Sequence, residues 1–172
     1  MIFENREEWQ QYFKDNWLAH YQKTGEIDWK LYKYGKNQSE ISGKGVDVTQ
    51  KRCLLISTAG AYLADQQEAF NAADPLGDYR VYSIPTATPL NNLSYAHEHY
   101  DHEARKKDPQ VNLPLEYLRQ LTEEKQIGSL CDNFISFSGY QPDVGRVIDE
   151  TIPEMLAIAQ KEEAETALFV PV

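Results

Sequence analysis

Cys53-Leu54-Leu55-Ile56-Ser57, followed at once by Thr58-Ala59-Gly60, is the stretch that decides the fold. A short uncharged run closed by small residues reads as a strand buried on both faces and leading into a loop, because a strand covered on both sides shows no polar alternation. Three similar runs follow, from Tyr79 to Ile84, Phe134 to Phe137 and Ala167 to Val170. Between them lie two amphipathic segments. One runs from Pro114 to Lys125 with a Leu115, Leu118, Leu121 stripe; the other runs from Val144 to Glu163 with Ile148, Ile152, Met155, Leu156 and Ala159. Short apolar strands alternating with such helices predict an α/β fold, a mainly parallel sheet flanked by helices in Rossmann-like layering.

Toward the N-terminus, residues 5–22 read as an amphipathic helix. Asn5 is placed to cap it, with Glu8 three positions later as in a capping box. Trp9, Tyr12, Phe13, Trp17 and His20 recur at helical spacing, and Gly25 ends the run. The aromatic stripe is expected to pack on the chain's own core, with a second subunit as the other way to bury it. Residues 26–50 are polar and punctuated, and read as a connecting arm. The expected division is therefore a helix and arm over residues 1–50 and an α/β domain over residues 51–172.

The 172 residues, 41% hydrophobic, suit one core and one domain of ordinary soluble type. Seventeen Lys and Arg against 27 Asp and Glu give a net charge of −10, which opposes contact with phosphate and excludes nucleic acid and anionic membranes as expected partners. No run approaches the roughly 20 apolar residues that cross a bilayer, and the opening residues lack a secretory pattern, so a cytoplasmic address is expected. Cys53 and Cys131 stand far apart without a CxxC and read as small buried hydrophobes.

In parallel α/β sheets, sites form in loops at the carboxyl ends of strands. That selects Thr58-Ala59-Gly60, the stretch from Pro85 to Pro109, and Ser138-Gly139-Tyr140. The middle stretch holds three of the four histidines, in His97-Glu98-His99-Tyr100-Asp101-His102. Imidazole is the commonest metal ligand near neutral pH, and His97 and His99 share a side only in an extended segment. A turn then brings His102 or Asp101 to the same ion, and Zn or Fe suits nitrogen and carboxylate ligands with open positions. The competing reading is a solvated polar loop. Glu98 alternates away from the two histidines and is expected in solvent. No nucleotide-cofactor motif is present.

The spelling His97-x-His99-x-Asp101-His102 resembles the first metal motif of the metallo-β-lactamase fold, a hydrolase. That fold needs further histidines downstream and paired β-sheets, and no histidine follows His102.

A second resemblance covers roughly residues 50–172. Leu54 to Leu63, Asp65-Gln66, Asp74-Pro75-Leu76-Gly77-Asp78, the histidine segment, Asp108-Pro109, Leu113-Pro114-Leu115, Ile127-Gly128-Ser129-Leu130, Phe137-x-Gly139-Tyr140 and the closing Phe169-Val170-Pro171-Val172 are similar, in order and spacing, to the selenoprotein B family. That family contains component B of glycine, sarcosine and betaine reductases and a subunit of D-proline reductase. The resemblance implies an oxidoreductase in which a selenol or thiol attacks a small amino-acid-like substrate and cleaves a carbon–nitrogen bond. The family's nucleophile follows shortly after a strand ending Pro-Val, and the sequence ends at Val172, so this segment is expected to be absent. Neither Cys53 nor Cys131 has a second cysteine beside it to replace it.

Three readings follow. The first is a reductase-type enzyme in which His97, His99 and His102 bind metal or substrate, Asp101 ligates or orients, and Tyr100 or Tyr140 donates a hydrogen bond. Thr58, Gly60 and Gly139 line the substrate side, with backbone N–H groups after the first strand available to an anion. The second is a non-catalytic subunit or a metal- or substrate-binding module of the family, with the aromatic helix sealing an interface. The third is the hydrolase. A homo-oligomer or a partner subunit is expected in the first two, since an uncovered sheet edge tends to be paired.

Overall fold

The computed structural model describes residues 3–39, 43, 45–97 and 102–172. A five-stranded sheet forms its centre. Strand β1 (Arg52–Ser57) is the middle strand, and it alternates Cys53 and Leu55 toward one face with Leu54 and Ile56 toward the other. On one side it pairs in parallel with β5 (Ser129–Leu130) and then β6 (Asn133–Phe137). On the other it pairs in parallel with β7 (Thr166–Val170) along Cys53 to Ser57. The sheet is thus mainly parallel, as the uncharged run at Cys53 predicts. β3 (Val81–Pro85) departs from this, because it runs antiparallel to β6 at the edge. A separate antiparallel pair joins β2 (Ala61–Tyr62) to β4 (Ser94–Tyr95).

Both faces are covered, which is why the strands carry so little polar alternation. Helix α3 (Leu115–Glu123) follows α2 (His102–Lys107) and packs Leu115 and Leu118 against Cys53, Leu55, Ile84 and Phe134. Helix α4, over residues 144–161, lays Met155, Ile158 and Ala159 on Leu54, Ile135 and Phe137. Fully buried side chains such as Phe134 and Ile135 each contribute about 1.5–3 kcal/mol of apolar burial. Leu156 does not join this face. It is 54% exposed, because in the regular turns over Ile152–Lys161 it lies about 100° around the helix from Met155, to the side of the face that Met155, Ile158 and Ala159 share.

The N-terminal helix, α1, runs over residues 6–24 with a π-helical turn at Lys14–Leu18 and ends at Gly25, whose φ of 73° closes it in the left-handed form. The capping box is not formed: Asn5 itself takes φ 55° and its side chain makes no cap hydrogen bond. Trp9, Phe13 and Trp17 are buried and stack in sequence, with centroids 5.1 and 5.3 Å apart. They pack with Tyr32, Leu76, Val144 and Ile148, so the aromatic face is buried within the chain itself. Part of the polar arm belongs to that cluster: Trp9 Nε1 donates to the Lys33 carbonyl at 2.8 Å, and Tyr32 meets Trp9, Phe13 and Trp17 edge-on. The described residues between Pro85 and Pro109 also hold regular structure, namely β4, α2 and a short turn at Leu90–Asn92. None of the described helices is long and apolar enough to cross a membrane.

Candidate functional site

The carboxyl ends of β1, β6 and β7 meet at one rim. After β1 the chain turns at Thr58, whose N–H donates to the Val170 carbonyl of β7 at 3.2 Å. Thr58 Oγ1 accepts the N–H of Val172 at 2.8 Å, which fixes the segment leaving β7 against the turn. Ala59 bridges to Ser138 beyond β6. Gly139 lies so close to Thr58 that a Cβ there would stand 3.0 Å from Thr58 Cβ. Its φ is not positive, so the glycine serves this approach rather than a left-handed turn.

Gly60 does adopt the left-handed region, with φ 64°. Its N–H donates to the Phe137 carbonyl and its carbonyl accepts from Ala96, both at 3.0 Å. A Cβ at Gly60 would stand 2.5 Å from the Ala96 oxygen, so only glycine lets the end of β4 come this close. That contact carries His97, the next residue, to the rim, where it is 8% exposed. Thr58 and Gly139 are therefore in contact, and His97 follows the residue that meets Gly60.

His99, Tyr100 and Asp101 lie outside the described residues, and of His102 only the backbone, at the start of α2, is described. Among the described residues, no group of three or more His, Cys, Asp or Glu stands close enough to hold a metal ion. Tyr140 continues from Gly139 and is placed beside the rim. Its hydroxyl donates to the Pro75 carbonyl at 2.9 Å, and burial holds its phenol above the usual tyrosine range.

The two thiols sit below, in the sheet. Cys53 and Cys131 are both buried; burial raises the Cys53 thiol and pushes Cys131 up to about 11, the Arg52 guanidinium offsetting only part of that. Neither is ionised near neutral pH, so neither is a ready nucleophile.

The sequence reading missed the polar support under the rim. Ser57 Oγ donates to the Asn112 carbonyl at 2.9 Å and accepts the Ala59 N–H at 3.2 Å, so a buried hydroxyl holds the turn from beneath. Gly77 plays a similar part for Tyr140. It takes φ 81°, and a Cβ there would stand 2.7 Å from the Tyr140 carbonyl. The signal for both was present, as a polar residue ending an apolar run and a glycine in Asp74-Pro75-Leu76-Gly77-Asp78, but no periodicity says what they face.

A mainly parallel sheet covered by helices defines an α/β protein, and the glycine-lined rim at its carboxyl edge is the candidate site. The chain is a member of the glycine/sarcosine/betaine reductase selenoprotein B family, whose pattern it matches over residues 40–161. It is 32% identical over 117 residues to D-proline reductase subunit gamma of Acetoanaerobium sticklandii, a match covering 67% of this chain and 46% of that protein. The chain thus spans about half the length of the curated relative it matches. No solved structure matches it. The mostly parallel five-stranded sheet also differs from the paired β-sheets that the hydrolase reading requires.

Proposed function

We propose that this chain forms the substrate-handling part of a reductase subunit of the selenoprotein B family, taking a small amino-acid-like substrate at the rim formed by Thr58, Gly60, Gly139 and His97. The observation that supports this most is the convergence of the ends of β1, β6 and β7 with His97, imposed by the Gly60–Ala96 contact. The N–H groups of Thr58, Ala59 and Gly60, expected from the sequence to meet an anion, are instead given to the Val170 carbonyl, Ser57 Oγ and the Phe137 carbonyl, so this reading assigns the substrate's carboxylate to the buried His97 imidazole. Tyr100 and Asp101 are assigned the donor and orienting roles, and Tyr140, next to Gly139, is a neutral phenol. With both cysteines buried and protonated, the attacking thiolate or selenolate comes from a residue outside this sequence. A partner subunit fits this reading, since the relative at 32% identity is itself named as a subunit.

A thermal-shift series with glycine, sarcosine, betaine and D-proline tests this. Saturable stabilisation by at least one of them, lost in His97→Ala, supports the reading; no shift with any contradicts it.

A second reading rests on the density of imidazoles. His97, His99 and His102 hold a divalent Zn or Fe ion that fixes the substrate's carboxylate. The ion would supply Lewis-acid polarisation at the rim, while the chain's part is to hold the ligands and keep His97 shielded from water. Elemental analysis of untagged protein tests it. Near-stoichiometric metal that disappears in a His97→Ala, His99→Ala variant supports the ion, and its absence from both leaves substrate binding alone.

A further inference from the structure

With the N–H groups of Thr58, Ala59 and Gly60 all taken, a carboxylate at the rim needs other donors than the turn itself. Two lie one layer below, at the carboxyl end of the sheet. Ser57 and Ser136 are register partners on the adjacent parallel strands β1 and β6, so their side chains leave the same face side by side. Two residues earlier on each strand, Leu55 and Phe134 belong to the apolar core that α3 covers, so on this face the core gives way to hydroxyls at the strand ends. Tyr95, at the end of β4, packs against the same core, and His97 follows two positions later.

Ser57 is fully engaged, since its Oγ donates to the Asn112 carbonyl and accepts the Ala59 N–H. The groups on either side of it are not. Ser136 Oγ and Asn112 Nδ2 are buried, in residues 0% and 4% exposed, and among the described residues neither finds a hydrogen-bond partner. A buried donor without a partner loses its hydration for nothing in return, which folded proteins seldom leave in place. The backbone alone fixes both positions. Ser136 is held by the β6 ladders, and Asn112 by its N–H to the Pro109 carbonyl and its own carbonyl to Ser57. Helix α2, which begins at His102, packs on the Pro109–Val111 turn just before Asn112. Asn112 therefore joins the element that follows the histidine segment to the end of β1.

An amide N–H and a hydroxyl both donate to an oxygen acceptor. A carboxylate presents two such oxygens, and its charge gains most from fixed neutral donors where water is excluded. A carboxamide presents one oxygen and sets its own N–H groups against the donors. We propose that Asn112 Nδ2 and Ser136 Oγ are binding groups for the carboxylate of the rim's ligand, acting with His97. The inference deepens the rim reading and rests on it for the amino-acid part of the ligand.

Thermal-shift and calorimetric titrations of the full 172-residue protein test it, with glycine, D-proline, acetate and acetamide as probes and with Ser136→Ala and Asn112→Leu as variants. Each substitution removes an unpaired buried group, so the ligand-free unfolding temperature is expected to stay level or rise, whereas loss of a partnered group would lower it. Each variant is expected to weaken acetate, and whichever amino acid binds, by roughly three- to tenfold, the range of one hydrogen bond. In the wild type, acetamide is expected to bind about fivefold or more weaker than acetate. Unchanged affinity in both variants, a lowered unfolding temperature in both, or equal affinity for acetamide overturns the proposal. Acetate bound in this variant-dependent way, with no amino acid bound, counts against the rim reading alone. An amino acid whose binding needs His97 but is unchanged in both variants counts against this inference alone, and no binding of any probe overturns both.

Discussion

Thr58 Oγ1 accepts the backbone N–H of Val172 at 2.8 Å, so the turn after β1 and the segment leaving β7 are held as one piece. Thr58→Val keeps the shape and removes the acceptor. It is expected to lower unfolding free energy by about 1 kcal/mol in urea titrations, the net worth of one such hydrogen bond. Thr58→Ser restores most of it. An effect absent from both variants contradicts the role given to this hydroxyl.

Gly60 is where backbone geometry and site assembly coincide. Gly60→Ala forces a non-glycine residue into φ 64° and drives its Cβ to 2.5 Å from the Ala96 oxygen. The expected cost is about 2 kcal/mol or more, and β4 must move, taking His97 with it. A histidine ring NMR signal that shifts in Gly60→Ala, but not in Gly25→Ala at the helix end, checks the second part.

Asp78 sets an acid limit on stability. Burial alone would raise its carboxyl, but the Arg80 side chain and the N–H groups of Asn71 and Arg80 outweigh that and hold it below the usual range. Because the folded value is depressed, this stabilisation is fully present above the unfolded carboxylate pKa of about 4 and is lost as pH falls through the folded value. Asp78→Asn should cost about 2 kcal/mol at pH 7 and flatten the loss of stability below pH 4. Parallel pH curves for wild type and variant contradict the assignment.

Cys53 and Cys131, buried and with raised pKa values, are expected to resist alkylation by iodoacetamide at pH 8 in the folded protein and to react fully in denaturant. Mass spectrometry reads both states. Rapid labelling of either thiol in the folded protein reopens it as a nucleophile.

The uncharged run from Cys53 made the central strand legible, since burial on both faces leaves a simple signature. The α3 stripe at Leu115 and Leu118 was legible for the same reason. Leu156 was misplaced because two adjacent apolar residues, Met155 and Leu156, cannot both face the sheet from one helix, and the sequence does not say which does. Asn5 failed as a cap because a residue type that suits capping also tolerates φ 55°, and local spelling does not choose between them. The rule that places sites at carboxyl strand ends selected Thr58, Gly60 and Gly139, and the structure puts them just after β1 and β6. The packing of Trp29 and Tyr32 was not legible, because the arm around them has no period and its aromatic residues are positioned only by tertiary contact.

The central claim, that the rim around His97 takes a small amino-acid-like ligand, is tested most directly by titrating D-proline and glycine into wild-type protein and His97→Ala by calorimetry. The account predicts saturable heat with at least one ligand in the wild type and at least a tenfold loss of affinity in His97→Ala. No binding in the wild type, or equal binding in both proteins, would contradict it.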